Sequence, residues 1–330
     1  MPLMRRRKWK ARGDQVDDNV LALVNRRRIE FRQIPKRKLG KVPRWRHPYI
    51  VERKYTQELF DIVGVLEELV RSILFFHLPG LADEARSLIP TSARQDAWPQ
   101  EVTKLLTLVE QRLDRKTISD KTLALDIGQR TNKWNDTQWQ NTLKRVMGVD
   151  IFIREPWLAN KLESFTEENA KLIKSLRGDS LVAIEGITQR GLRAGKRHET
   201  LRKEIEEQFD ITRNRAKLIA RDQVSKLNGQ LTKERQTSIG LSRYIWHDSD
   251  DKRVRTSHAQ NDNLLMSWSN SSIYYPSLNA KPFTRLGIQL HPGEDYQCRC
   301  WAEAFFDDVA EEFNFKESFS IKTKKSKVHF

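Results

Sequence analysis

Cysteine is almost missing from this chain. Only Cys298 and Cys300 occur in 330 residues, and residues two positions apart on an extended strand hold their Cα atoms about 6.6 Å apart, at the edge of what a disulfide spans, so they are poor partners for each other. No disulfide framework can be built from them, and a reducing compartment is the expectation. Long apolar runs are missing too. The most apolar stretch, LFDIVGVLEELVRSILFF, carries Asp61, Glu67, Glu68 and Arg71 in its middle, which argues against an ordinary spanning helix. The N-terminus, MPLMRRRKWKARGD, is basic but lacks the apolar core of a secretory signal. A soluble, intracellular protein is expected. Nor is there a phosphate loop. No Lys-Ser or Lys-Thr pair follows Gly186, Gly191 and Gly195 and no strand precedes them; their spacing suits an elbow between two helices.

Positive charge is what the chain has in excess. Apolar residues make up 38% and charged residues 32%, with a formal net charge of +16. That balance favours long, solvent-laced helices over one thick core. Residues 1–50 hold 16 Lys and Arg against 4 acids, and a flexible basic arm is expected there. Its cations include Arg5, Arg6, Arg7, Lys8, Arg26, Arg27, Arg28, Lys36, Arg37 and Lys38, interleaved with Trp9, Phe31 and Trp45. Cations attract phosphate and aromatic rings offer stacking faces, a combination that suits non-specific contact with double-stranded DNA. A solvated tail, or an arm lying on an acidic protein, is the plain alternative.

Residues 51–211 read as helical. Leu59, Ile62, Val63, Leu66, Leu69, Val70, Ile73 and Leu74 recur at three- and four-residue intervals, with Leu78-Pro79-Gly80 as the expected stop. A second stripe runs Val102, Leu105, Leu106, Val109, Leu113. A third helix is expected over Trp139–Met147, and a fourth after Pro156 with Leu158, Leu162 and Phe165 on one face. These stripes are core rather than cofactor contacts.

Residues 212–306 form the informative part. Thr212 is placed to cap a helix carrying Ile219, Ala220, Val224, Leu227 and Leu231 inward, with Arg221, Asp222, Asn228 and Arg235 on a wet face. Tyr244-Ile245-Trp246 reads as a buried strand and CRCWAEAF as a second. Antiparallel pairing of the two would bring the His258 loop towards Cys298 and Cys300. Residues 307–330 make a charged tail, expected to be mobile. The fold class is α+β: a mainly helical N-terminal portion and a small mixed C-terminal domain.

The order ARDQ, YIWHDSDDKRVRTSHAQNDNLL, HPGEDYQCRCWAEAFF resembles the phage head morphogenesis family, the Mu F-like minor head proteins. The resemblance spans roughly residues 160–306. It rests on Arg221 and Asp222; Trp246; Asp251, Arg253, Arg255, Ser257 and His258; Pro292 and Gly293; and Cys298, Arg299 and Cys300. Where family members often have glycine after the histidine segment, this chain has Asp262-Asn263, and Asn tolerates the left-handed conformation. The resemblance implies a minor capsid protein of the virion, located at the portal vertex inside the head and in the host cytoplasm during assembly. Its implied partners are the portal protein and a capsid or scaffolding protein, with no membrane and no catalytic residues.

Two chemical alternatives remain open. Cys298 and Cys300 with His258 and either His291 or His247 supply donor types that tetrahedral zinc takes, although Cys-x-Cys is tighter than the usual spacing. Otherwise the Cys-Arg-Cys strand is simply buried, with Arg299 pairing an acid. A metal-dependent nuclease would use His258, His291 and Asp248 around a cation, but the strand-loop-helix order it needs does not follow His291. The expectation is no enzyme and no cofactor, with zinc the one exception to test.

Overall fold

The structure, a computed structural model, describes residues 42–87, 98–147, 154–251, 253–276, 280–285 and 290–306. The α+β expectation holds. Among the described residues, five long helices come first: α1 (Tyr49–Ser87), α2 (Trp98–Lys116), α3 (Asp120–Met147), α4 (Leu158–Arg193) and α5 (His198–Ser238). Then follow β1 (Arg243–His247), the one-turn helix α6 (Thr256–Ala259), β2 (Leu265–Ser267), β3 (Ile273–Tyr275), β4 (Phe283–Thr284) and β5 (Trp301–Ala304). No described helix is long and apolar enough to cross a membrane.

The chain divides into two compact units, and neither is contiguous. Among the described residues the helical unit takes those of Pro48–Thr131 and Trp157–Leu227; the sheet unit takes 42–47, those of Asn132–Pro156 and those of 228–306. A single break near residue 212 therefore does not describe the division.

In the helical unit the α1 stripe is buried from Leu59 to Leu74 and packs against α2 and α4. Polar cross-links fix the packing. Tyr55 Oη donates to Asn169 Oδ1 at 3.0 Å, Asn169 Nδ2 donates to Gln223 Oε1 at 3.1 Å, and Arg177 bridges Asp114 and Asp120. Pro79 does not stop α1, which runs on to Ser87. Proline has no N–H to offer the carbonyl four residues back, and that carbonyl, Phe75 O, instead accepts from Arg202 Nη2 at 2.8 Å. The elbow expected from three glycines resolves to one. Gly186 and Gly191 lie within α4, while Gly195 takes φ +67 in the turn before α5. Thr212 does not cap a helix. It lies buried inside α5, its hydroxyl donating to Gln208 O at 2.9 Å.

The sheet unit is built on a five-stranded, wholly antiparallel sheet in the order β4-β3-β2-β1-β5. β1 pairs β5 with Tyr244 opposite Ala304 and Trp246 opposite Ala302. Alternation along these strands sends Tyr244, Trp246 and Ala302 into one cluster with Met266, Trp268, Cys298 and Cys300. Leu265 and Phe305 form a smaller cluster with Ile245 and Tyr275. Gln236, near the end of α5, ties the helix to the sheet: its Nε2 donates to Ala302 O and its Oε1 accepts from Trp268 Nε1. A third cluster joins Trp45, Trp139, Leu143, Val146, Ile239, Leu241, Ala304 and Phe306.

That third cluster corrects the reach of the basic arm. Trp45 is 5% exposed, and Arg46 is held by Gln138 and Trp134, so residues 42–47 are packed structure and Trp45 is no stacking face for a base. The remaining cations proposed for DNA, from Arg5 to Lys38, and the tail after Phe306 lie outside the described residues. Asp222, Asn228 and Arg235 do not belong to a wet face: all three are buried, Arg235 at 1%. Arg235 is held by Glu155, Asn132 and Asn135.

One ion pair in this unit gives the fold a pH dependence. His247 stacks on Trp301 at 4.2 Å and bonds Glu303 Oε2 at 2.9 Å, with Asp262 nearby. Burial pushes its pKa down, but hydrogen bonds to Asp262 and Glu303 win and hold it at about 9. A group raised from its ordinary value near 6.5 contributes stability that is complete below about pH 6.5 and lost as pH climbs through about 9. The wild-type chain is expected to lose about 1–3 kcal/mol between these limits through this group. His247→Phe, which keeps the stacking ring, should flatten that part of the profile. Denaturant unfolding at pH 6.5 and 9.5 measures it; an identical decline in both proteins would contradict the assignment.

Candidate functional site

The long connection between β1 and β2 is shaped by its own polar side chains. Asp248 Oδ1 accepts from Asp250 N and Asp251 Oδ1 from Arg253 N, both at 2.8 Å, closing two tight turns in the acidic segment. Asn263 takes φ +62 and donates its N–H to Trp246 O at 2.8 Å. The departure from glycine at this point is therefore absorbed by a residue type that tolerates the conformation. Between these turns sits α6, with His258 on its inner side and 9% exposed.

The segment 290–300 leads into β5 at the same end of the sheet, where Trp301 lies opposite His247. His291 O accepts from Glu294 N, Asp295 O accepts from Cys298 N, and Gly293 and Gln297 both have positive φ. These turns deliver Cys298 and Cys300 into the core beside Trp246 just ahead of β5, 3% and 7% exposed. His258 Nδ1 lies 3.6 Å from Cys298 Sγ and 3.4 Å from Cys300 Sγ. Its other nitrogen, Nε2, is 3.0 Å from Asp295 Oδ2. Asp295 is held in turn by Arg255 Nη1 at 2.7 Å. Cys300 N points at Cys298 Sγ at 3.4 Å, and Arg299, between the two thiols, pairs with Asp251 at 2.6 Å.

The electrostatics of the cluster follow from this geometry. A hydrogen bond from Cys300, and a second from His258, hold the Cys298 thiol well below its usual range against the opposing effect of burial. Cys300 is driven the other way by its bond to Cys298 and by burial. The bond to Cys298 raises His258, with the Asp295 charge adding to it. The two shifts oppose each other and favour a single thiolate, on Cys298, facing the His258 ring.

His291 stands apart from this group. Burial, with Lys233 adding to it, lowers its pKa to about 3, so the ring is neutral, and its Nδ1 shares a hydrogen bond of 3.1 Å with Tyr244 Oη. Of the five residues considered for a metal, His258, Cys298 and Cys300 come together, and neither His291 nor His247 joins them. The nuclease arrangement of His258, His291 and Asp248 is accordingly not assembled. Arg221 and Asp222 lie in the helical unit, Arg221 Nε 3.4 Å from Glu52 and Asp222 2.7 Å from Lys226. Ser257 is exposed on α6. Pro292 and Gly293 are buried where the backbone meets Gly229 of α5. Asp295 is the participant the sequence reading missed. An acid three residues before the first thiol was its only signal.

Residues 183–303 match the family described as Phage Mu protein F like protein, so the resemblance to Mu F-like proteins holds over these residues. An uncharacterized protein of Haemophilus influenzae is 31% identical over 188 residues, which is 56% of this chain and 39% of that protein. The chain thus spans well under two thirds of that relative's length. No solved structure matches the chain.

Proposed function

We propose that this chain is a phage minor head protein acting in procapsid assembly and DNA packaging. It associates with the portal protein and with a capsid or scaffolding protein, and it touches double-stranded DNA without sequence readout. The observation that carries this reading is the Mu F-like match over residues 183–303. That segment includes the sheet and the His258, Cys298 and Cys300 cluster.

Charge supports the DNA contact independently. Residues 1–41 hold 14 Lys and Arg against 4 acids, a concentration of cations ahead of the packed residues. Neutralising phosphates releases condensed counterions, so affinity falls with salt in proportion to the phosphates contacted.

The test uses the full chain and a chain beginning at Val42. With about six phosphates neutralised, affinity of the full chain for duplex DNA is expected to fall about a thousandfold between about 50 and about 200 mM salt. The shortened chain should bind weakly and with a shallow slope. Equal binding and equal slopes would remove the arm from the proposal. Co-expression with the portal protein of the same genome should give a complex on size exclusion, and two separate peaks would count against portal association.

A further inference from the structure

We propose that His258 Nδ1, Cys298 Sγ and Cys300 Sγ are three protein ligands of a zinc ion whose fourth position is open to water or another small ligand. These donor atoms lie within 4.8 Å of one another, and all three residues are buried. Tetrahedral zinc, with bonds of about 2.3 Å to sulfur and about 2.0 Å to nitrogen, sets a nitrogen and a sulfur ligand about 3.5 Å apart. The observed separations are 3.6 and 3.4 Å. A hydrogen bond alone explains this less well. One ring nitrogen carries one proton or one lone pair, and here two sulfurs converge on it at nearly equal distance.

The surroundings are those of a metal-ligating histidine. Asp295, acceptor-only as a carboxylate, takes the Nε2 proton, so Nδ1, on releasing the proton it shares with Cys298, offers its lone pair to the metal. Arg255 fixes Asp295 from the far side. Cys300 N–H, aimed at Cys298 Sγ, stabilises sulfur as thiolate, the form that binds metal. Two soft sulfurs and an imidazole select zinc over calcium or magnesium, which take oxygen ligands. The ion would join the β1–β2 connection to the segment leading into β5. The proposal goes beyond the phage-head reading and stands or falls separately from it.

The full-length protein, purified under reducing conditions without chelator, should carry about one zinc per chain by elemental analysis. Cobalt exchanged into the site should give the visible bands of tetrahedral cobalt and a near-ultraviolet band from sulfur-to-cobalt charge transfer. Cys298→Ser combined with Cys300→Ser should abolish both signals. Asp295→Asn, which leaves all three ligands in place, should weaken zinc affinity about 10- to 100-fold in a competition with a chromophoric chelator. The wild-type measurement is decisive even if the cysteine variants fail to fold. A chain that arrives without zinc and takes up neither zinc nor cobalt overturns the proposal. So does uptake that persists unchanged in the double cysteine variant, or cobalt spectra of octahedral type.

Discussion

Glu155→Ala is expected to destabilise the sheet unit by about 3–5 kcal/mol. The reason lies in Arg235, whose guanidinium is enclosed at the end of α5 with its residue 1% exposed. Glu155 takes two of its hydrogen bonds, Nε at 2.6 Å and Nη2 at 2.8 Å, while Asn135 and Asn132 take Nη1 and Nη2 at 2.5 and 2.6 Å. The asparagines satisfy donors but carry no charge. Removing the carboxylate strips an enclosed cation of the charge that faces two of its nitrogens, a far larger loss than the pair contributes on its own. The double replacement Arg235→Met with Glu155→Leu should therefore cost less than Glu155→Ala alone. Urea unfolding of the three proteins decides it. A loss below about 1 kcal/mol for Glu155→Ala, the range of an exposed ion pair, would show that water reaches the guanidinium.

Gly229→Val should be the second large effect. A side chain at this position of α5 would place Cβ 2.5 Å from Pro292 O and 3.4 Å from the Gly293 Cα, both backbone. A backbone oxygen cannot rotate away, so either α5 or the 291–293 turn must shift. Overpacking of this kind costs about 1–3 kcal/mol, and a branched side chain falls at the upper end. Gly64 is the control. A Cβ there meets nothing within 4 Å, so Gly64→Ala should stabilise α1 by up to about 1 kcal/mol through helix propensity alone. Thermal unfolding of both variants checks the contrast. A melting temperature unchanged in Gly229→Val would mean that α5 and the turn are not in the contact described.

How much of this was legible beforehand depended on the kind of signal. The α1 and α2 stripes were plain because every inward position is apolar. The start of α3 was hidden because its buried positions include Thr131 and Asn135, polar residues that interrupt the periodicity while bonding inside. Asn135 donates to Asn228 and Thr232. Arg235 misled for the same reason: a charge buried against partners about 80 to 100 residues away looks, in sequence, like a charge facing water. Strands β1 and β5 were readable from their aromatic and alternating character. β2, β3 and β4 hold two or three residues each, too few for a period to register. At the site, His258, Cys298 and Cys300 stood out as rare residue types, and the pairing of β1 with β5 suggested their approach. Asp295 is a common residue whose meaning comes only from the turn that carries it.

The cluster around Trp45 bears on how this protein can be cut. Ile239 and Leu241 lie inside the stretch that matches the Mu F-like family, yet they are covered by Trp45, Trp139, Leu143, Val146 and Phe306, none of which does. A fragment trimmed to the edges of the sequence match would bare that apolar surface and stick to itself. Any portable version of the domain has to begin no later than Val42, retain the 132–156 segment and run through Phe306, because the borders of kinship and the borders of packing fall in different places.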